Sequence, residues 1–285
     1  MPDKEFYLNC KDHLVSGEEF RLVMRSDFEI LQTLPVPKDL SIYYDSENYI
    51  SHTDSKKSFI DKIYRGVKRY MLAEKLKWIS QVSSGEKILD IGAGTGDFLI
   101  AAKNKNFKIS GIEPNAGARK LALEKGIKLQ PDLSSFKGNS FNVISMWHVL
   151  EHVPDLDFQL NQLYRLLEPN GIVVIAVPNF KSFDAKYYKE NWAAYDVPRH
   201  LWHFSQNGIS ELFKKYNFRK LQTKPLFFDS FYVSLLSEKN KKGNVSLIKA
   251  FNIGLKSNIK AQNTSEYSSL VYFFQKYEKT HFKDI

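Results

Sequence analysis

"DIGAGTGD", residues 90–97, sets glycines at positions 92, 94 and 96 between two carboxylates, Asp90 and Asp97. The apolar run "EKILDI" precedes it and "FLIAAKNKN" follows, an order that predicts a strand, a tight turn and a helix. A glycine turn opening onto a helix N-terminus is a place for a nucleotide-like ligand. A dinucleotide fingerprint requires Gly-x-Gly-x-x-Gly. Gly92 and Gly94 fit it, but the next required glycine falls on Asp97, and the third glycine comes one residue early at Gly96. A carboxylate at the positive end of the helix dipole crowds a pyrophosphate, and Asp90 adds to the repulsion.

S-adenosylmethionine has no phosphate. Its amino acid end carries an ammonium group and its sulfur is a sulfonium cation, so a carboxylate-edged glycine loop suits it better than NAD. Glu113 ends the next apolar run, "FKISGIE", where a carboxylate can accept both ribose hydroxyls. That supports an adenosine ligand without choosing between the two cofactors.

Working outward, "KILDI", "FKISGIE", "IKLQ", "FNVISMW", "GIVVIAVP", "RKLQTKP" and "SSLVYFFQ" predict seven strands. Helices are expected at "FLIAAKNK", "AGARKLALEKG", "DLDFQLNQLYRLLE" (ended by a "PNG" turn) and "SQNGISELFKKYNF", capped by Ser205. Such alternation calls for an α/β fold with a doubly wound, mostly parallel, seven-stranded Rossmann-like sheet. Residues 1–57 read as an N-terminal extension, 58–225 as the core with its leading helix, and 226–285 as a helical lid and final strand. Within the lid, Val245, Ile248, Phe251, Leu255 and Ile259 share one helix face. The face reads as packing inward on the domain. It lacks the Trp and dense cationic flank of a membrane-surface helix.

The chain has 285 residues, 43% hydrophobic and 26% charged, as befits a protein with a substantial core. Nothing approaches a signal peptide or the ~18 apolar residues of a membrane span. The single cysteine, Cys10, excludes an internal disulfide and suits a reducing cytoplasm. The net charge of +9 is concentrated in residues 211–285, where fourteen Lys/Arg face six Asp/Glu. Such a surface is either a solvated face or an attraction for nucleic acid, anionic lipid or an acidic small molecule.

The blocks "EKILDIGAGTGDFLIAAK", "GIEPN", "NSFNVISMWHVLEHVPDL" and "LLEPNGIVVIAVPN" resemble the class I S-adenosylmethionine-dependent methyltransferases, especially the quinone-biosynthesis O-methyltransferases, over about residues 84–225. The resemblance implies S-adenosylmethionine as cofactor and S-adenosylhomocysteine as product. It implies that Asp90, Gly92 and Gly94 line the methionine end and Glu113 binds the ribose. Asp132 and Leu133 would then meet the adenine edge, with Met146, Trp147 and His148 beside the sulfonium. The N-terminal stretch resembles a zinc-ribbon-like module of a bacterial subgroup of these enzymes. Here Cys10 stands alone, with Met24 and Asp27 where a later cysteine pair would fall, so no metal is expected. "YYDSENYISH", with Tyr49 and His52, would either fold over the cofactor or form a surface turn.

For the acceptor, the chain lacks the Asn/Asp-Pro-Pro-aromatic motif of amino-methylating nucleic acid enzymes and has no cysteine near the fourth strand. Two histidine-rich clusters follow the fourth and fifth strands, at the edge where open α/β sheets bind ligands. The first holds His148, Glu151 and His152; the second, "WAAYDVPRHLWHF", holds Trp192, Tyr195, Arg199, His200 and His203. Neither looks like a zinc site: Glu151 and His152 adjoin, and His200-x-x-His203 has no nearby third ligand of suitable spacing. A hydroxyl acceptor benefits from a base, and His148 is the first candidate, with His152 and His200 as alternatives. Arg199 offers a fork for an acceptor carboxylate or phosphate, or else an internal pair with Asp196. Trp192 and Tyr195 offer walls, and the segment to His203 is expected on the acceptor side together with the lysine-bearing helices after Pro225. The expectation is a cytoplasmic methyltransferase for a small-molecule or lipid/glycan-linked acceptor, O-directed. The alternatives are an RNA methyltransferase, a non-catalytic S-adenosylmethionine-binding module and, last, an NAD oxidoreductase.

Overall fold

Alternating burial marks three short antiparallel strands at the start of the chain: β1 (Phe6–Lys11), β2 (Glu19–Met24) and β3 (Ile30–Leu34). A computed structural model describes residues 5–44, 59–242 and 246–278, so Tyr49, His52 and Val245 lie outside the described residues. A long helix, α1 (Phe59–Val82), then leads into β4 (Lys87–Ile91), α2 (Asp97–Lys103), β5 (Lys108–Ile112), α3 (Ala116–Glu124) and β6 (Phe141–Trp147). The second half runs α4 (Leu156–Leu166), β7 (Leu167–Pro178), α5 (Phe183–Tyr188), β8 (Trp202–Phe204), α6 (Gln206–Lys215) and β9 (Phe218–Pro225). It closes with α7 (Asp229–Lys242), α8 (Leu247–Thr264) and β10 (Ser269–Lys276). Among the described residues no helix is long and apolar enough to cross a membrane.

The main sheet has the order β5-β4-β6-β7-β10-β9, parallel from β5 to β7, with β10 antiparallel to both its neighbours. Residues 172–177 of β7 are buried without interruption, as a strand covered on both faces requires. Among the described residues the sheet has six strands rather than the expected seven. "IKLQ" contributes a single parallel bridge, Ile112↔Gln130, and Pro131 follows, with no N–H to carry a ladder onward. The "PNG" turn is also absorbed. β7 starts at Leu167, opposite Phe141, and Asn170 at φ 61° takes up the register shift inside the strand.

Two differences matter for the site. β8 pairs with β3 (Ile30↔Phe204, Leu31↔His203, Gln32↔Trp202), so the second histidine cluster completes a sheet of order β1-β2-β3-β8. That sheet crosses the expected boundary near residue 57. The apolar face of α8 is also reversed from expectation. Ala250, Ile253, Gly254, Ser257 and Ala261 face inward, whereas Ile248, Phe251, Leu255 and Ile259 are 41–79% exposed. Small residues face α7 because the helices approach closely: a Cβ on Gly254 would stand 2.9 Å from the Phe231 Cα.

Candidate active site

The glycine loop is built by backbone geometry. Gly92, Gly94 and Gly96 have φ of 74°, 53° and 79°, and the Gly92 and Ala93 amides both donate to the Ile112 carbonyl at 2.8 Å. The first two glycines serve different purposes. A Cβ on Gly92 would meet Val149 Cγ2 at 2.4 Å, so this glycine is required by packing. A Cβ on Gly94 meets nothing within 4 Å, so the space above it is open to a ligand. Glu113 borders that space. It accepts from the Gly94 amide at 2.8 Å with Oε2 and from the Asn115 amide at 2.9 Å with Oε1, leaving lone pairs on both oxygens. Asp97 is bound by Lys68 at 2.6 Å and Lys125 at 2.9 Å, so the charge expected to repel a pyrophosphate is largely offset by two ammonium groups.

Asp90 is buried at the end of β4 and accepts from Ser145 Oγ at 2.6 Å. Burial pushes its carboxyl up to about 7, against the pull of that hydrogen bond and of Lys75. Lys75, on α1, lies 3.9 Å above the centre of the Trp147 ring, and burial lowers its ammonium to about 8. Trp147 packs edge-on to Phe98, and its buried Nε1 has no hydrogen-bond partner. Strand alternation puts Ser145 and Trp147 on this side of the sheet and Met146 on the other. Met146 is accordingly buried in the opposite core, with its sulfur 3.9 Å from Gln159 Nε2, so its side chain does not reach the sulfonium position expected for it. Asp132 is exposed and caps its own turn through the Ser134 amide at 2.8 Å; Leu133 leans on the core.

These residues fit the cofactor inferred from the sequence. An orphaned indole N–H, a buried carboxylate and an open glycine edge bordered by Glu113 match a ligand with an amino acid end and a ribose. Sequence reasoning missed Lys75 and Ser145. Lys75 sits in the apolar register of α1, four residues after Met71 and four before Ile79, where a lysine is out of pattern.

The two histidine clusters meet. Leu201 N–H donates to the Glu151 carbonyl at 2.8 Å, and the His152 and His200 rings lie edge to face at 4.5 Å. Glu151 is buried and neither carboxylate oxygen has a hydrogen-bond partner. Burial works against its charge, but His148 and the neighbouring imidazoles hold its pKa below the ordinary value. His200 Nδ1 lies 2.9 Å from the Ala194 carbonyl, and His152 Nδ1 lies 3.0 Å from the Arg199 carbonyl. A carbonyl only accepts, so His200 Nδ1 carries the proton and its Nε2 lone pair is free, whereas His152 Nδ1 also lies 3.0 Å from the Tyr44 hydroxyl, which can donate to it. Glu151, His152 and His200 each bring one ligand atom within 4.8 Å of the others. That donor set suits a proton relay and has the composition of a divalent-cation site, although neither cluster alone had metal-ligand spacing. His152 is pushed down to about 4 by burial and then by His200.

His148 does not serve as the expected base. It lies between Asp229 Oδ2 at 3.1 Å and Glu151 Oε1 at 3.4 Å. Burial alone would lower its pKa, but the two carboxylates raise it to about 10, so at neutral pH it is an imidazolium with no lone pair to offer. Asp229, the first residue of α7, thus ties the helical insertion to the first cluster, and Ser237 Oγ, accepting from the Ala193 amide at 2.9 Å, ties it to the second.

The residues assigned to the acceptor are mostly structural. Arg199 is 1% exposed and fully engaged: Nη2 donates to Asp12 at 2.9 Å and Asp196 at 2.7 Å, Nε to Asp196, and Nη1 to the Tyr43 carbonyl at 3.0 Å. No fork is left for an acceptor. Trp192 and Tyr195 are buried in the core shared with the N-terminal sheet, Trp192 Nε1 donating to Asp184 at 2.8 Å. His203 is buried against Thr33 Oγ1 at 3.0 Å, and burial pushes its imidazole well below the ordinary value. Cys10 lies in the same core, where burial raises its thiol to about 12.

Residues 64–223 match the family described as "Methyltransferase domain". Over 118 residues the chain is 33% identical to the ubiquinone biosynthesis O-methyltransferase of Aeromonas salmonicida (strain A449), covering 37% of this chain and 50% of that protein. It is 26% identical over 175 residues to a ubiquinone/menaquinone biosynthesis C-methyltransferase of Xylella fastidiosa (strain M12), covering 55% of this chain and 66% of that one. The chain therefore spans about half to two-thirds of the curated relatives' length. Among solved structures, phosphoethanolamine N-methyltransferase 2 of Haemonchus contortus, in complex with S-adenosyl-L-methionine, shares the fold with a TM-score of 0.51 at 19% identity, over 73% of this chain and 53% of that one.

Proposed function

The chain belongs to the class I S-adenosylmethionine-dependent methyltransferases, and on that premise we propose that it methylates a hydroxyl group of a small-molecule or lipid-linked acceptor. The cofactor, when bound, supplies an electrophilic methyl group on a sulfonium, and Asp90, Gly94, Glu113 and Trp147 are the residues that hold it. The protein's tasks are then to align the acceptor in line with that methyl, exclude water and remove the hydroxyl proton.

One observation carries the O-directed reading: the fixed-tautomer His200 beside the buried carboxylate of Glu151, whose one close charged neighbour among the described residues is His148 at 3.4 Å. His200 Nε2 takes the acceptor proton, its Nδ1–H stays on the Ala194 carbonyl, and Glu151 stabilises the imidazolium that forms. Here a backbone carbonyl fixes the tautomer and the carboxylate acts on the imidazolium only through its charge. His152 remains neutral throughout, because two imidazoles at this separation do not both charge. The quinone-biosynthesis relatives support a small-molecule acceptor but divide between O- and C-methylation, and the His200–Glu151 pair favours oxygen.

The test uses radiolabelled S-adenosylmethionine and a panel of hydroxylated aromatic and prenylated acceptors, with the methylated atom located by mass spectrometry. His200→Gln should lower kcat by about 10²–10⁴-fold, the usual contribution of a positioned base, and leave S-adenosylhomocysteine affinity unchanged. Methylation confined to carbon or nitrogen, or full turnover in His200→Gln, would overturn the reading.

A further inference from the structure

The methyl-transfer site makes no use of the outward stripe of α8. Leu247, Ile248, Phe251, Leu255 and Ile259 extend ~18 Å along the helix, all of them large, apolar and exposed. The stripe continues onto the start of α7. Phe231 stacks on Phe251 with centroids 5.2 Å apart, Asn258 Nδ2 donates to the Phe227 carbonyl at 2.9 Å, and Phe227 and Phe228 are themselves exposed. Scattered apolar residues on a surface need no explanation, but a contiguous face of this kind marks a contact.

Charge selects the occupant. α8 contains no Asp or Glu; Lys249 pairs with the buried Glu238 at 3.3 Å, and Lys256 and Lys260 continue along the flank of the stripe. Lys256 and Lys260 are held over the Phe183 ring, at 5.4 and 4.5 Å from its centre, so their ammonium groups stay at that flank. The whole segment 211–285 has a surplus of positive charge. A second copy of the chain on this face would set one acid-free, lysine-flanked helix against another, which like charges disfavour. The helix has no Trp and only a sparse cationic flank, but its large apolar residues turn outward rather than onto the domain. A negatively charged surface with an apolar interior meets both the stripe and the lysines.

We propose that α8 and the first turn of α7 dock the protein on an anionic lipid surface, the stripe entering the acyl boundary and the lysines meeting the headgroups. The docking face leads directly to the site, because Asp229, which pairs with His148, follows Phe227 and Phe228 in the same turn. Docking rests on this surface alone. Its consequence, that the acceptor is reached from the lipid, rests on the methyl-transfer reading above.

Flotation of the intact protein with vesicles tests it. Vesicles containing phosphatidylglycerol should bind about tenfold more protein than phosphatidylcholine alone, the scale set by a few interfacial lysines, and high salt should remove the difference. I248D/F251D should abolish binding while S-adenosylhomocysteine affinity and the circular dichroism spectrum stay unchanged. K256Q/K260Q should bind weakly and lose the salt dependence. No binding to either vesicle, or undiminished binding by I248D/F251D, would overturn the proposal. So would a dimer in analytical ultracentrifugation that I248D/F251D dissociates, because a second copy would then be the occupant. Cofactor calorimetry on the same samples reports separately on the methyltransferase reading.

Discussion

Arg199→Ala should destabilise the protein by about 3 kcal/mol and leave cofactor binding intact. The guanidinium is buried and ties three segments together: the Asp12 turn, the Tyr43 carbonyl and Asp196 of its own loop. Breaking a buried ion pair by removing one partner costs about 3–5 kcal/mol, mostly because the other charge is left behind. Asp12 would be that charge, with its side chain 0% exposed. It keeps the Leu14 and Ser16 amides and the Ser16 hydroxyl as donors, which places the cost at the lower end of that range. Three kcal/mol is roughly a hundredfold in the folding equilibrium. The assay is urea unfolding followed by tryptophan fluorescence, since Trp192 and Trp202 lie beside the N-terminal sheet. Arg199→Met combined with Asp12→Asn should recover much of the loss, because no fully buried charge is then left unpaired; the carboxylate of Asp196 is 20% exposed and reaches water. Burial raises the Asp12 carboxyl, but the Ser16 and Arg199 hydrogen bonds outweigh it and hold the pKa below the ordinary value. A depressed carboxylate stabilises the fold above its unfolded pKa, and that contribution is lost as pH falls through the folded one. Arg199→Ala should therefore begin acid unfolding at higher pH than the parent. A loss below about 1 kcal/mol, or lost cofactor affinity with stability intact, would refute the reasoning and return Arg199 to the ligand.

Glu113→Ala should weaken S-adenosylhomocysteine binding by about 1–3 kcal/mol in calorimetry, and Gly94→Val should abolish it, since a branched Cβ enters the open edge of the loop. Tighter binding of NAD than of either sulfur cofactor would contradict both. His148 is raised to about 10 by Asp229 and Glu151 against burial, so its contribution to stability is complete below the unfolded pKa near ~6.5 and lost as pH rises through about 10. Thermal melts of the parent should decline across that window, and those of His148→Gln should be flatter.

The glycine loop was legible because three consecutive alternate positions need positive φ and only glycine adopts it at low cost. The parallel strands were legible because burial on both faces leaves unbroken apolar runs. Met146 was misassigned although the period of two in "FNVISMW" already separates it from Ser145 and Trp147. The face of α8 was harder. An amphipathic pattern shows which residues share a face but not which face turns inward, and here a row of small residues packs more closely on α7 than the large ones could. β8 has only three residues, too few to show a period, and its partner strand lies some 170 positions away in the chain. Arg199 had two readings in the sequence, and only the position of Asp12 decides between them.

β8 has a consequence for how such an enzyme diverges. The loop carrying His200 is joined to the main sheet at one end, through the Asn179↔Phe204 bridge, and hydrogen-bonded along β3 at the other. The segment that carries His200 is thus held by two pieces of chain that lie far apart in the sequence. A chimaera that imports residues 179–204 from a relative should fail unless residues 6–34 come with them. A new acceptor preference is then reached more readily through changes in the insertion, which faces no such partner strand.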